Sequence, residues 1–224
     1  MESGSPVTDI GPLQRLLLAY APAALRDWQR LCWQLDQRLA AVVQRGGDPT
    51  IAAIRLAWWD EVLVEEDHAK GRGEPLVEQW RAMAPAGAGV AVGRLIDGWR
   101  LLLSPEPLSE DDLRDYGLAR GGGLFGLIAG EMSETLDRTG AMWALWDLAA
   151  HVRDDELAWQ ALAVARMLAD GARAGSNGYG DKQVTKPLRL AYAVTCPDVL
   201  AGAIPPAGFS LRHYGRLLWA SLRD

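Results

Sequence analysis

The stretch Pro22–Val43, PAALRDWQRLCWQLDQRLAAVV, decides the fold class. Its apolar side chains recur every three or four residues, as on one face of an α-helix: Leu25, Trp28, Cys32, Leu35 and Leu39. Pro22 suits the first turn of a helix, and Gly46 and Gly47 follow as a stop signal. The pattern predicts a long amphipathic helix that packs on other helices.

The same periodicity continues along most of the chain. Asp48 before Pro49 indicates the cap and first position of another helix, and Ser109 with Asp112 resembles a capping box. The predicted helices after the first stretch, and one short helix before it, are Leu13–Tyr20, Pro49–His68, Pro75–Met83, Gly89–Leu103, Leu113–Leu136, Ala141–Ala169, Pro187–Thr195 and Ser210–Arg223. Residues 171–180 predict a flexible loop. Without a period-two pattern, we expect an all-α protein forming a single domain over residues 1–224.

Composition excludes several functional classes. The 224 residues are 49% apolar, enough for a real core, and 29 acidic against 23 basic residues give a net charge of −6, which argues against nucleic-acid binding. Cys32 and Cys196 form no short pairing, and the three histidines share no short spacing, so disulfide frameworks and His or Cys metal sites are not expected. No secretory signal or membrane-length apolar run occurs, which favours a cytoplasmic protein with at most peripheral membrane contact.

IRLAWWDEVL, residues 54–63, is the first stretch that exceeds a generic helix. Trp58 and Trp59 project about 100° apart, so one suits the core and the other a cavity wall. Ile51, Ile54, Trp58, Val62 and Glu65 lie on one side of this helix. Asp60 and Glu61 suit either a solvated acidic side or a site, and Arg55 with Trp59 suits a surface stacking pair.

RGGGLFGLIAG, residues 120–130, is the second such stretch. Gly122, Gly126 and Gly130 fall one helical turn apart on a single face, and each glycine costs about 1 kcal/mol relative to alanine inside a helix. A bare stripe allows close approach of another helix or of an apolar ligand. Tight helix packing is the favoured interpretation, with the ligand left open.

DLAAHVRDDE, residues 147–156, is the third. Asp147, His151 and either Asp154 or Asp155 share one helix face. A magnesium site for a diphosphate needs carboxylates converging from facing helices, because Mg²⁺ prefers octahedral oxygen ligation. Taken alone, the stretch therefore favours a charged solvent face that includes Arg153.

Together, these segments resemble the squalene/phytoene synthase family, the all-helical head-to-head prenyltransferases. LDQRLA at residues 35–40 stands where the family has its first aspartate-rich motif, and DLAAHVRDD at 147–155 stands at the second. IRLAWWDEVL resembles the family's Arg…Trp helix, and DYGLARGGGLFGLIAG at 115–130 its Tyr-to-glycine-rich helix. The closing segments KPLRLAYAVTCPDVLAG and LRHYGRLLW are similar to the family's last helices. The order of the segments is more specific than any single motif.

The resemblance implies a helical bundle around a central cavity, in which two facing D-x-x-x-D motifs hold magnesium and magnesium holds the prenyl diphosphates. It places metal ligands at Asp36 and Asp154. The residues that it implies for substrate or diphosphate binding are Asp36, Arg55, Tyr116, Gly122, Gly126, Asp147, Arg153 and Asp154.

The chain departs from this pattern at both motifs, because Ala40 and Ala158 stand where the second aspartate of each would fall. We therefore expect a catalytically degenerate protein that binds an isoprenoid-like lipid or a protein partner, as in the divergent branch that includes an assembly factor for respiratory complex I. One alternative is a working magnesium-dependent prenyltransferase that uses substitute carboxylates, namely Asp60, Glu61, Asp147 and Asp155. Another is a helical interaction module whose cavity is filled by side chains.

Overall fold

The computed structural model describes residues 10–44, 48–174 and 182–223, and these are helical with no β-strand among them. The helices, in chain order, are α1 (Pro12–Ala19), α2 (Arg26–Gln44), α3 (Pro49–Leu63), α4 (Pro75–Met83), α5 (Ala88–Leu101), α6 (Glu110–Tyr116), α7 (Gly122–Ala129), α8 (Glu134–His151), α9 (Asp155–Ala174), α10 (Lys182–Ala201) and α11 (Leu211–Ser221). A 3₁₀ turn (Ala23–Leu25) precedes α2, and a π-helical segment (Gly117–Gly121) joins α6 to α7. Their buried side chains form one continuous core, which confirms the predicted all-α bundle.

Two predicted helices are each divided in the structure. The predicted Leu113–Leu136 helix ends at Ala129, because Gly130 adopts a left-handed cap with φ of +74° and Ser133 then caps α8. The predicted Ala141–Ala169 helix breaks at Val152, whose backbone is extended. The apolar helical pattern continues across both breaks. Only the residues at the helix ends mark where each helix stops.

The end of the chain also differs from its prediction. The loop predicted at 171–180 begins later, since α9 continues to Ala174, and residues 175–181 lie outside the described part. Helix α10 is longer than the predicted Pro187–Thr195 because Pro187 and Pro197 both lie inside it. Neither proline ends α10, although both lie within an apolar pattern.

Helix α3 buries only part of its apolar surface. Ile51 is 50% and Ile54 65% exposed, while Leu56, Trp59 and Val62 are buried. Both sides of α3 carry apolar residues, so periodicity alone does not select which side packs against the core.

The π-helical segment brings three helices into backbone contact. A side-chain Cβ at Gly121 would lie 2.0 Å from the carbonyl oxygen of Gly140 on α8, and one at Gly98 on α5 would lie 2.4 Å from the backbone nitrogen of Arg120. The extra residue per turn shifts the helical register, so Gly121 makes the closest approach in place of the predicted stripe. Close helix packing thus explains the glycine-rich run.

The centre of the bundle is filled by aromatic rings. Trp33 of α2 packs edge-on against Trp143 of α8 with 5.1 Å between ring centroids, and Phe125 of α7 lies 5.8 Å from Trp143. All three side chains are essentially inaccessible to solvent. These rings occupy the space between α2, α7 and α8.

Candidate functional site

Asp36, the first predicted metal ligand, is held by an arginine. It lies in the middle of α2 with 3% of its surface exposed. The guanidinium of Arg120 donates from Nε to Oδ1 at 2.9 Å and from Nη2 to Oδ2 at 2.8 Å. This two-point pairing of planar groups is the strongest geometry available to a carboxylate and an arginine.

Three more side chains complete the surroundings of Arg120. Its Nη2 donates to Asp147 Oδ2 at 2.7 Å, and its Nη1 donates to the Tyr116 hydroxyl at 2.6 Å. Trp99 donates from its indole nitrogen to Asp36 Oδ1 at 2.9 Å, and the guanidinium lies 4.1 Å from the centre of the Trp99 ring. We call these five residues, Asp36, Trp99, Tyr116, Arg120 and Asp147, the Arg120 cluster.

The π-helical segment positions Arg120 for these contacts. Arg120 is only 2% exposed, and its Nη2 contacts both Asp36 on α2 and Asp147 on α8. The bare Gly98 beneath its backbone lets the segment lie directly on α5, which carries Trp99. The site therefore depends on two features: the register change in the π-helical segment, and the close crossing of that segment over α5 at Gly98.

Burial and neighbouring charges shift the pKa values of Arg120 and Tyr116. Burial alone would lower the pKa of Arg120, but the nearby carboxylate of Asp36, helped by Asp147, raises it well above its ordinary value. Burial raises the pKa of the Tyr116 phenol, which therefore stays neutral. One guanidinium between two carboxylates leaves the cluster with a formal surplus of one negative charge when both are ionised.

A cavity of about 400 Å³ opens above the cluster. Asp36, Arg120 and Asp147 contribute to its floor, with His151 at the side. The walls combine apolar side chains with glutamines and include Leu13, Gln37, Ala40, Gln44, Trp146 and Phe209. The arrangement suits a ligand that is largely apolar and carries no strong negative charge.

The donor set does not fit the magnesium that the resemblance implies. Both oxygens of Asp36 already accept from Arg120, and Oδ1 also accepts from Trp99. Within residues 10–44, 48–174 and 182–223, no three His, Cys, Asp or Glu side chains are grouped so that they could hold a metal ion. Since Mg²⁺ takes several oxygen ligands at about 2.1 Å, the guanidinium and the ion would compete for the same carboxylate.

Asp154, the second predicted ligand, lies in a different environment. It is exposed and precedes α9, where its Oδ1 accepts from the backbone nitrogen of Glu156 at 2.9 Å. Arg153 beside it is exposed as well, and neither residue lines the cavity above Asp36. Ala158, four residues on, is buried in the core, so the two positions do not share a face. The structure therefore does not bring Asp154 to Asp36.

Of the other predicted binding residues, Tyr116 and Asp147 join Asp36 in the cluster, and the rest lie elsewhere. Arg55 is exposed and lines a separate depression with Trp58 and Glu74. Gly122 faces Asp137 and Arg94, and Gly126 faces Met132, so both serve helix packing and do not line the cavity.

The substitute carboxylates of the alternative enzyme hypothesis are scattered and mostly paired. Asp60 accepts from Arg100, and Glu61 pairs with Lys70 at 2.7 Å. Asp155 is exposed in the first turn of α9. Only Asp147 reaches the cavity floor.

A second buried carboxylate, Asp198 on α10, joins three helices. It accepts from Arg216 at 2.8 Å and from Trp146 at 3.3 Å, and it lies 2.9 Å from His213 Nε2. Burial alone would raise the pKa of Asp198, but the hydrogen bonds from His213, Arg216 and Trp146 outweigh it and hold the pKa below its ordinary value. Because Trp146 also lines the cavity, this contact links the cavity wall to α11.

Sequence reasoning missed the two residues that determine the site, Arg120 and Trp99. Arg120 begins the glycine-rich run and could have been noticed as the lone cation of a long apolar stretch. Nothing in the neighbourhood of Trp99 points to Asp36, from which it is separated by 63 positions.

The chain was compared with protein-family models, with curated proteins and with solved structures, and none of the three comparisons found a match.

Proposed function

We propose that this chain is a catalytically degenerate protein of the squalene/phytoene synthase type that acts by binding, and does not couple prenyl diphosphates. One observation carries the proposal: the Arg120 guanidinium occupies both oxygens of Asp36, the carboxylate at which the resemblance puts magnesium. An arginine is fixed to the chain and stays charged at all working pH values, so it does not give way to a metal as a proton would.

The cavity above the cluster supports a neutral, isoprenoid-like ligand. Its apolar walls suit a hydrocarbon chain, and its floor offers carboxylates that would repel a diphosphate. The volume of about 400 Å³ lies within the range of small-molecule sites. The ligand would lie over Ala40 and Trp146, with its polar end toward Asp147 and His151.

An assembly or interaction factor is the second candidate, and the ring-filled centre of the bundle favours it. The space between α2, α7 and α8 is filled by the rings of Trp33, Phe125 and Trp143, as in a module that has lost its substrate channel. Such a protein would act through its surface with a protein partner. The working prenyltransferase has the least support, because its substitute carboxylates are paired with basic residues or dispersed.

Product analysis tests the central claim. The folded chain would be incubated with farnesyl or geranylgeranyl diphosphate and Mg²⁺, and the organic extract analysed for squalene- or phytoene-like hydrocarbon. We expect none above the level of a heat-denatured control. Formation of such a product by the wild-type chain would overturn the proposal.

A binding measurement separates the two candidates. Titration with farnesol should raise the melting temperature of the wild-type chain, while farnesyl diphosphate with Mg²⁺ should raise it less. Ala40→Trp, which fills the cavity from α2, should abolish the farnesol effect, and Ala57→Trp on the exposed side of α3 is the matched control. If farnesol has no effect on the wild-type chain, the interaction factor is the better interpretation.

A further inference from the structure

Helix α11 has two apolar faces, of which only one is covered. His213 and Leu217 are buried against the rest of the protein. The opposite face is open, with Leu211 91%, Leu222 80% and Trp219 58% exposed. Tyr214 and Leu218 on the same side are each 46% exposed. An open row of large apolar side chains marks an interaction surface.

The arrangement of these residues around the helix axis is ordered. At 100° per residue, the five exposed apolar residues fall within an arc of about 140°. The three arginines of the segment, Arg212, Arg216 and Arg223, fall within about 40° of one another along one edge of that arc. An apolar face bordered by arginine and containing Trp and Tyr is typical of a helix that lies in a membrane–water interface.

The charge of this segment is opposite to that of the chain. Residues 211–224 contain three arginines and one acidic residue, Asp224, whereas the chain as a whole carries −6. Arg212 is exposed, and the guanidinium of Arg223 lies 3.5 Å from the centre of the Trp219 ring. Arg216 is anchored to Asp198 at 2.8 Å, which holds the helix in this orientation. The local charge is therefore complementary to an anionic surface.

We infer that α11 docks the protein on an anionic lipid bilayer, with Leu211, Trp219 and Leu222 inserted at the headgroup boundary. Arg212 and Arg223 would contact the lipid phosphates. A bilayer accepts a single amphipathic helix of this kind, 11 residues long with an apolar face bordered by arginines. No described helix is long and apolar enough to cross a membrane, so the contact is peripheral. The inference stands apart from the proposed function, since it uses no residue of the Arg120 cluster.

Vesicle flotation of the full chain tests this inference. With vesicles of phosphatidylglycerol and phosphatidylcholine, we expect binding that is at least about tenfold stronger than with phosphatidylcholine alone and that weakens as salt is raised. Leu211→Glu with Leu222→Glu should reduce binding at least about tenfold, and so should Arg212→Gln with Arg223→Gln. The matched control is Ile51→Glu with Ile54→Glu on α3, two exposed apolar residues replaced in the same way, which should retain wild-type binding.

Circular dichroism of each variant establishes that the fold is kept, as expected for substitutions of exposed residues. The inference would be overturned if the wild-type chain failed to float with anionic vesicles, or if the α3 control lost as much binding as the α11 variants. Light scattering adds a further outcome: a dimer that Leu211→Glu with Leu222→Glu converts to monomer would show that a second copy covers α11, and would also overturn it. Product formation in the coupling assay would leave this inference untouched, so the two proposals fail separately.

Discussion

Asp36 and Asp154 are the two residues at which the resemblance predicts metal ligands, yet the structure gives them opposite environments. Asp36 lies mid-helix, 3% exposed, with both oxygens bound by Arg120. Asp154 is exposed and outside the helix that follows, where it accepts backbone hydrogen bonds at the start of α9. A shared residue type therefore does not imply a shared role, because the role depends on whether the carboxylate lies within a helix and on what faces it.

The positions four residues on repeat the contrast. Ala40 lines the cavity beside Asp36, as a ligand in the same helix would. Ala158 is 1% exposed within the core and points away from the surface on which Asp154 lies. The i, i+4 rule holds only when both residues lie inside one helix, and Asp154 precedes its helix. Substitutions around Asp36 and Asp154 test this difference between a buried, paired carboxylate and an exposed one.

Arg120→Gln should have the largest effect. It leaves the buried Asp36 carboxylate without its counter-charge, so the free energy of unfolding should fall by about 3–5 kcal/mol. Urea denaturation followed by circular dichroism measures this. Arg153→Gln, an exposed arginine beside Asp154, is the matched control and should change stability by less than about 0.5 kcal/mol.

The double variant Asp36→Asn with Arg120→Gln tests whether the pair itself is responsible. Removing both charges should recover part of the loss, because no uncompensated charge remains at Asp36. A single Arg120→Gln loss below about 1 kcal/mol, or a double variant less stable than the single one, would contradict the buried pair.

Ala158→Asp and Ala40→Asp would each restore one D-x-x-x-D sequence, and their effects should differ. Ala158→Asp puts a carboxyl group into the core and should cost about 3 kcal/mol. Ala40→Asp adds a carboxylate to the wall of the open cavity, at a half-buried position near two other carboxylates, and should cost about 1 kcal/mol. Equal costs in urea denaturation would show that the two alanines do not differ as described.

Asp154→Ala should have a smaller effect. It removes the carboxylate that caps α9, and loss of a cap costs about 1 kcal/mol. Asp154→Asn keeps a capping oxygen and should lose less than half of that, which separates capping from charge. If Asp154→Ala destabilised the protein as much as Arg120→Gln, the assigned capping role would be wrong.

The smallest expected effect is a change in the pH dependence of stability, at Asp198, which resembles Asp36 in being buried and paired. Its pKa is held below the ordinary value in the folded protein, so its contribution to stability is fully present above about pH 4 and is lost as the pH falls through the folded pKa. Asp198→Asn should therefore flatten the decrease in stability below pH 4. Urea midpoints at pH 5, 4 and 3 measure this, and unchanged slopes in the variant would contradict it.

Part of the candidate site could be predicted from the chain. Asp36, Tyr116 and Asp147 were expected at one site because their segments resemble motifs that meet in a known fold, and they do meet. Arg55, Gly122 and Gly126 were expected there for the same reason but lie elsewhere. For Gly122 and Gly126 the reason is local, because the added residue of the preceding π-helical segment rotates the side chains that follow it in the same helix.

The sequence by itself determined the helical class, most helix starts and the absence of i+4 aspartates, since these depend on local spacing, caps and residue identity. Three features depend on the tertiary structure. Arg120 binds both oxygens of Asp36, Asp154 lies at the surface, and aromatic rings fill the centre of the bundle. These outcomes depend on the crossing of α2, α5, α7 and α8, which brings together residues far apart in the chain, such as Asp36 and Arg120 at a separation of 84 positions. Local patterns carry no information on which distant charged residue lies opposite Asp36. In this protein that residue is Arg120, which makes Asp36 part of a structural ion pair and not a metal ligand.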